Sequence, residues 1–176
     1  MSGRPCLDLL GTLKWRRRDE SEEQLTAPVD LARWAVAAGL VDAPMSVTAK
    51  GLRDAIALRE STYRVVLERI GGGRLDIDAV EFLNGVSQGK PLIPKLGADS
   101  TVSRAGSSAQ LLATLGADAL DLLGSPNIGR VRECGDPDCT RLFLDQSRGR
   151  PRRWCGMSEC GNRAKVDAYR HRQQIT

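Results

Sequence analysis

A chain of 176 residues, 41% apolar and only 4% aromatic, has room for one ordinary domain or for a domain and a small module, with a core of Leu, Val, Ile and Ala. It contains no apolar run of about eighteen residues, which excludes a membrane-spanning helix, and "MSGRPCLDLL" lacks the basic and apolar regions of a secretory signal. The net charge of +4 is uneven: residues 1–125 hold 15 Lys and Arg against 16 Asp and Glu, whereas residues 126–176 hold 11 against 6.

Taken in chain order, "RPCLDLLGTLKW" predicts a first strand running into the acidic loop "DESEE". "APVDLARWAVAAGL" predicts a short helix, with Pro28 near its start, Gly39 near its end, and Leu31, Trp34, Ala35 and Ala38 on one face. "TAKGLRDAIALRESTYRVVLERIGGG" is the clearest long helix, with Leu52, Ile56, Tyr63, Leu67 and Ile70 as its apolar stripe and the triple glycine as its stop. "DIDAVEFLNGVSQG" predicts a third helix capped by Asp76 or Asp78. "PLIPKLG" and "STVSRAG" predict two short edge strands joined by a turn at Gly97–Asp99. "SSAQLLATLGADALDLLGSP" predicts a helix capped by Ser107 or Ser108. The sum is an α+β body over residues 1–125, followed by a basic module over 126–176.

Catalytic constellations are scarce in the body. The one histidine is His171, inside the basic module, so a Ser–His or Cys–His arrangement has no base in residues 1–125. Gly71–Gly73 is a helix stop and not a phosphate cradle, because no Lys-Ser or Lys-Thr pair follows it. Trp34, Tyr63 and Cys6 lie on apolar patterns and are expected in the core. The body therefore reads as non-enzymatic, with an inner surface available to a small effector.

The module carries Cys134-x4-Cys139-x15-Cys155-x4-Cys160. With no export signal, a reducing cytoplasm is the expected setting, and paired cysteines there hold metal more often than they form disulfides. Each pair supplies two thiolates from a tight turn, and "CGDPDC" has the Gly and Pro that such a turn requires. "TRLFLD" and "RRWC", joined by "QSRGRP", predict a hairpin that returns the second pair to the first. "GNRAKVDAYRHRQQ" then predicts a helix capped by Ser158, with Cys160 in its first turn. Knuckle, hairpin and helix make a treble-clef arrangement around one zinc ion. Asp136, Asp138 and His171 are conceivable substitutes, but four thiolates already fill a tetrahedron, so the zinc is expected to be structural. Loss of one cysteine is expected to unfold the module and leave the body folded.

"CTRLFLDQSRGRPRRWCGMSECGNRAKVDAYRHRQ" closely resembles the CGNR zinc finger, whose tetrapeptide stands here as Cys160-Gly161-Asn162-Arg163. The stretches "CLDLLGTLKW", "LREST" and "LLGSPNIGRVREC" are similar to the ABATE domain that precedes this finger in bacterial stress-induced transcription regulators. The resemblance implies a DNA-binding regulator with one zinc. Arginine chemistry agrees with it, since affinity for DNA begins with phosphate neutralisation. Arg148, Arg150, Arg152 and Arg153 are expected on the hairpin to straddle a backbone. Arg163 with Arg170, and Lys165 with Arg172, form two basic lines on the helix. Ala164, Val166, Ala168 and Tyr169 are expected to face the hairpin or body. Asn162 and Arg163 are placed to read base edges, with a local cap as the equal alternative for Asn162. Trp154 is expected to pack over the metal site. The same arginines permit RNA binding, and a protein-interaction finger with solubilising arginines is the third reading. Homo-oligomerisation is left open.

Overall fold

In the computed structural model, which describes residues 2–174 apart from the side chains of residues 159, 167, 168, 171, 172 and 174, the longest element is helix α3. In chain order the elements are α1 (Pro5–Leu10), β1 (Leu13–Lys14), β2 (Glu22–Glu23), α2 (Pro28–Ala37), α3 (Ala49–Gly71), α4 (Ile77–Ser87), β3 (Lys95–Leu96), β4 (Val102–Ser103), α5 (Ser108–Gly124), a 3-10 turn (Pro126–Arg130), β5 (Val131–Glu133), β6 (Leu142–Leu144), a π turn (Met157–Gly161) and α6 (Asn162–Gln174). The strands form three separate antiparallel pairs, β1–β2, β3–β4 and β5–β6. No helix among the described residues is long and apolar enough to cross a membrane.

The helices begin and end where their caps dictate. The Thr48 hydroxyl accepts from Gly51 N–H at 3.0 Å to open α3, and Gly72 closes it in the left-handed conformation at φ 71°. Asp76 caps α4 by accepting from Ala79 N–H at 3.1 Å. Ser107 and Gln110 form a reciprocal capping box at the start of α5. The expected strand over "RPCLDLLGTLKW" is a correction: residues 5–10 are helical and only Leu13–Lys14 is extended. A short apolar run fits a buried helix as well as a buried strand. Pro5 at the first turn and the Asp118 carboxylate, which accepts from Cys6 N–H at 2.9 Å, decide for the helix. Cys6, Leu7, Leu9 and Leu10 are all buried by it. The expected strands of 91–106 shrink to two residues each, and both are exposed.

Three apolar clusters follow. The first joins α2, α3, α4 and α5 through Leu31, Ala55, Leu58, Leu83, Leu111 and Leu115. The second joins α1 to the far ends of α3 and α5 through Leu7, Leu10, Val66 and Leu122, and also takes in Ile128, Val131, Leu142 and Leu144. The third holds Cys134, Cys139, Cys155 and Cys160 with Phe143, and Trp154 packs against it. Because α3 packs against α1 as well as α4 and α5, its buried arc is wider than the expected stripe. Ala55, Leu58, Thr62, Val65 and Val66 are buried, whereas Ile56, Tyr63, Leu67 and Ile70 are half-buried.

One buried residue of α3 is charged. Arg59 is 1% exposed, and its guanidinium grips Glu23 of β2 with two bonds of 2.7 and 2.6 Å. It also donates to Glu60 at 2.7 Å and to Thr12 at 3.1 Å. Burial alone would raise the Glu23 carboxyl, but the Arg59 fork and the Leu25 N–H outweigh it and hold the group below the usual carboxylate range. Arg16 extends the network by pairing with Glu60 and lying 4.1 Å over the Tyr63 ring. The β1–β2 hairpin is thus fastened to α3 by charge.

Arg59→Met is expected to destabilise the fold by about 3 kcal/mol, because it leaves Glu23 without its partner. Lys50→Ala, which removes an exposed pair with Asp54 one turn along α3, is expected to cost less than about 0.5 kcal/mol. Urea unfolding of both variants tests the ranking, and equal losses would contradict it.

Candidate metal centre and basic surface

The hairpin β5–β6 pairs Val131 with Leu144, Arg132 with Phe143 and Glu133 with Leu142. Its ladder runs on into the first knuckle, where Cys134 N–H donates to Arg141 O at 3.0 Å. Cys139 N–H then closes the turn onto Asp136 O at 3.0 Å, and Asp138 N–H donates to the Asp136 carboxylate at 3.1 Å. The first cysteine pair therefore sits at the tip of the hairpin. This corrects the expected hairpin between "TRLFLD" and "RRWC", because residues 151–155 are not a strand. Pro151 has no N–H, and Arg152 N–H is taken by the Asp145 carboxylate at 3.0 Å. A single backbone bond, Gly135 N–H to Arg153 O at 2.8 Å, ties that segment to the knuckle. A side chain at Gly135 would place its Cβ 2.8 Å from Arg153 Cγ, so only glycine permits the approach.

The second pair arrives by a different device. Cys155 N–H donates to Cys134 Sγ at 3.4 Å, and Cys160 lies in the π turn closed by Gly161 N–H to Gly156 O at 3.0 Å. The expected α-helical first turn around Cys160 is thus a wider turn that precedes α6, which starts at Asn162. Knuckle, hairpin and helix are all present, with the knuckle inside the hairpin.

All four cysteines are buried, and their sulfurs lie within 4.8 Å of one another. Cys139 and Cys155 are 3.9 Å apart and Cys155 and Cys160 are 3.7 Å apart. A tetrahedron with arms of about 2.3 Å has edges of roughly 3.8 Å, so the donor set and spacing suit one zinc ion. None of the four is in a disulfide. As free thiols they cannot all ionise together. A thiol hydrogen bond from Cys155 lowers Cys139 to about 5, while burial first, then the hydrogen bond to Cys139 and its charge, push Cys160 up to about 12. Cys155, which donates to Cys139, is also pushed up. A divalent cation relieves this conflict by replacing the shared protons.

Asp136 and Asp138 face other partners. Asp136 pairs with Arg163 at 3.3 Å, and Asp138 pairs with Arg18 from the β1–β2 loop. The His171 side chain lies outside the described residues, as does that of Arg172. Arg163 also donates to Cys160 Sγ at 3.6 Å, so its guanidinium points at the metal site. Trp154 is half-buried against the cysteine cluster, with Arg153 4.6 Å over its ring. Arg152 lies 4.7 Å over Phe143 and donates to Cys155 O at 2.5 Å. Arg152 and Arg153 thus lie on the finger's aromatic rings, and both remain exposed.

Arg148, Arg150, Lys165, Arg170 and Asn162 are exposed. Val166 and Tyr169, expected to pack inward, are exposed at 40% and 59%, because α6 packs against the π turn before it. Ala164 is half-buried, and Ala168 falls outside the described side chains. Two cations that sequence reasoning passed over complete the surface. Arg130 and Arg132 are exposed on and beside β5 and line a cleft with Asp145, Ser147, Gly149 and Pro151, and Arg130 donates to Ser147 O at 3.4 Å. The signal was the alternation in "GRVRE", which puts both arginines opposite buried Val131.

A family model for ABATE, described as "Putative stress-induced transcription regulator", matches residues 3–126, and one for the CGNR zinc finger matches residues 130–173. No curated protein matches the chain.

Protein purified without chelators is expected to contain about one zinc per chain by elemental analysis, and Cys155→Ser or Cys160→Ser to contain none. Because β6 packs Leu142 and Leu144 on α1, loss of metal should also speed hydrogen exchange at Leu9 and Leu10 while α4 keeps its protection. Unchanged exchange in α1 would show that the finger and the second cluster are uncoupled.

Proposed function

The chain belongs to the ABATE family and carries a CGNR zinc finger after that domain, and from that premise we propose that it is a transcription regulator whose finger grips DNA. Both families are regulatory or zinc-binding and neither is enzymatic. The observation that carries the reading is the meeting of two exposed basic segments, Arg130 and Arg132 at β5 and the loop that holds Arg148 and Arg150, around one cleft whose single carboxylate, Asp145, is tied up by Ser147 and the Arg152 N–H. Exposed guanidinium groups on a rigid hairpin and its neighbouring loop suit the repeating phosphates of a nucleic-acid backbone. Lys165 and Arg170 continue the charge along α6, and Asn162, exposed where that helix begins, is the candidate reader of a base edge.

The zinc ion is structural in this reading. Cys134, Cys139, Cys155 and Cys160 would hold it with four thiolates, a donor set that would leave no open position for a reacting water. Arg163 holds the knuckle by bridging Asp136 and Cys160, and Arg152 and Arg153 brace it from the other side, so these three act on DNA through the finger's shape. The protein works in the cytoplasm, where reduced thiols keep the metal.

Binding of the zinc-loaded chain to duplex DNA is expected to fall steeply with salt. Arg148→Ala with Arg150→Ala should weaken all sequences alike and make the log–log salt slope shallower by about 0.9 for each phosphate no longer neutralised. Asn162→Ala should cost about 1–3 kcal/mol on the preferred site alone. Fluorescence anisotropy with DNA and RNA of matched length reads all of this. Tighter binding to RNA would move the function to RNA, and no binding to DNA at low salt would remove it.

A further inference from the structure

We infer that the cleft between the β1–β2 hairpin and the zinc knuckle binds a small, ring-bearing organic carboxylate, with Arg141 as its anchor. The cleft, of about 140 Å³, is lined by Leu13, Lys14 and Trp15 from the hairpin and by Thr140, Arg141, Arg163 and the metal-ligand candidates Cys139 and Cys160 from the finger. Among the described residues no carboxylate lines it. The inference rests on the regulator reading for the ligand's purpose as an effector, and on the cleft alone for its chemistry.

Arg141 is the unusual member. It is half-buried, yet its guanidinium has no ion pair or side-chain hydrogen bond among the described residues. The neighbouring cations are committed: Lys14 pairs with Glu22 at 2.8 Å and Arg163 with Asp136 at 3.3 Å. Arg141 lies against the end of α1 because position 11 has no side chain. A Cβ there would come 3.3 Å from its Nε and 3.5 Å from its Cζ. From this seat it also lines a second cleft, of about 210 Å³, that reaches Trp34 and the Asp8 carboxylate, which accepts from Ser2 N–H and makes no ion pair with Arg141. A partly dehydrated guanidinium fork without a partner matches the two oxygens of a carboxylate.

The rest of the lining selects against a bare inorganic anion. Leu13 and the Trp15 indole are apolar walls that phosphate would leave uncovered, whereas a ring would bury them. Trp15 stands in the left-handed region at φ 52°, a conformation unfavourable for a bulky side chain, with Arg18 5.1 Å from its ring. With zinc bound, the four thiolates would leave two negative charges uncompensated, and because Cys139 and Cys160 line the cleft, Lys14, Arg141 and Arg163 on the same walls, with Arg163 3.6 Å from Cys160, offset that charge. A ligand seated here would touch Cys139 and Thr140 of the finger and Trp15 of the body together. Its binding would therefore tighten the joint between them.

The test is calorimetric titration of the zinc-loaded full chain with sodium benzoate and, separately, with inorganic phosphate. Saturable binding of one benzoate per chain is expected, with a melting temperature raised by about 5 °C at a hundredfold excess over Kd. Arg141→Gln should weaken benzoate about tenfold or more while keeping its zinc. Trp15→Gly, which relieves the left-handed backbone, should fold and also bind benzoate more weakly. Three results would overturn the inference: no saturable benzoate binding by the native chain, equal binding by Arg141→Gln, or phosphate binding as tight as benzoate. DNA affinity measured on the same samples keeps the two readings apart. DNA binding without benzoate binding sinks only the carboxylate site, and benzoate binding without DNA binding sinks only the DNA reading.

Discussion

Three residues of β6 decide how this molecule holds together. A strand points alternate side chains to opposite faces, so Leu142 and Leu144 enter the cluster built on α1, α3 and α5, while Phe143 enters the cysteine cluster. All three are buried, so neither face of the strand is left to solvent. The metal site and the helical body are therefore two sides of one short strand. Leu144 N–H also donates to Ser2 O at 2.8 Å, so the chain's first residues are tied to the same place.

Charge makes a second joint beside the apolar one. Arg59 fastens β2 to α3 from inside, and that fixes where the loop after β1 can reach. From this loop Arg17 pairs with Glu133 at 2.6 Å, Arg18 pairs with Asp138, and Arg16 N–H donates to the Thr140 hydroxyl at 3.4 Å. The exposed pairs contribute little each, but Arg59 is buried and its partners are held by several bonds. A body residue buried in charge thus positions the surface cations that meet the knuckle.

The arginines of the finger divide by what surrounds them. Phe143 and Trp154 offer aromatic faces beside the metal, and Arg152 and Arg153 cover them. Asp136 and Cys160 draw Arg163 inward. Where the backbone runs out over the surface, at 146–150 and along β5, no acidic side chain among the described residues pairs with Arg132, Arg148 or Arg150, and those groups stay available to a polyanion. Basic composition alone does not separate a bracing arginine from a gripping one, because both carry the same charge and the difference lies in their neighbours.

The sequence by itself determined the parts governed by local rules. Two cysteine pairs of equal spacing with Gly and Pro in the first turn sufficed for the metal cluster, since each pair is a local turn. Apolar period and caps at Thr48, Asp76 and Ser107 sufficed for α3, α4 and α5. Tertiary structure decided whatever depends on distant partners. "PCLDLL" is a helix because Asp118, over a hundred residues away, receives its first free N–H. "RRWC" is not a strand because Asp145 takes the Arg152 N–H and the Arg152 guanidinium takes the Cys155 carbonyl, polar groups that a ladder would need. Arg59 is buried because Glu23 waits on another hairpin, and no helical periodicity reports a partner 36 residues away. Hydrogen-bond partners and burial are properties of the folded neighbourhood, whereas turns, caps and periods are properties of the chain.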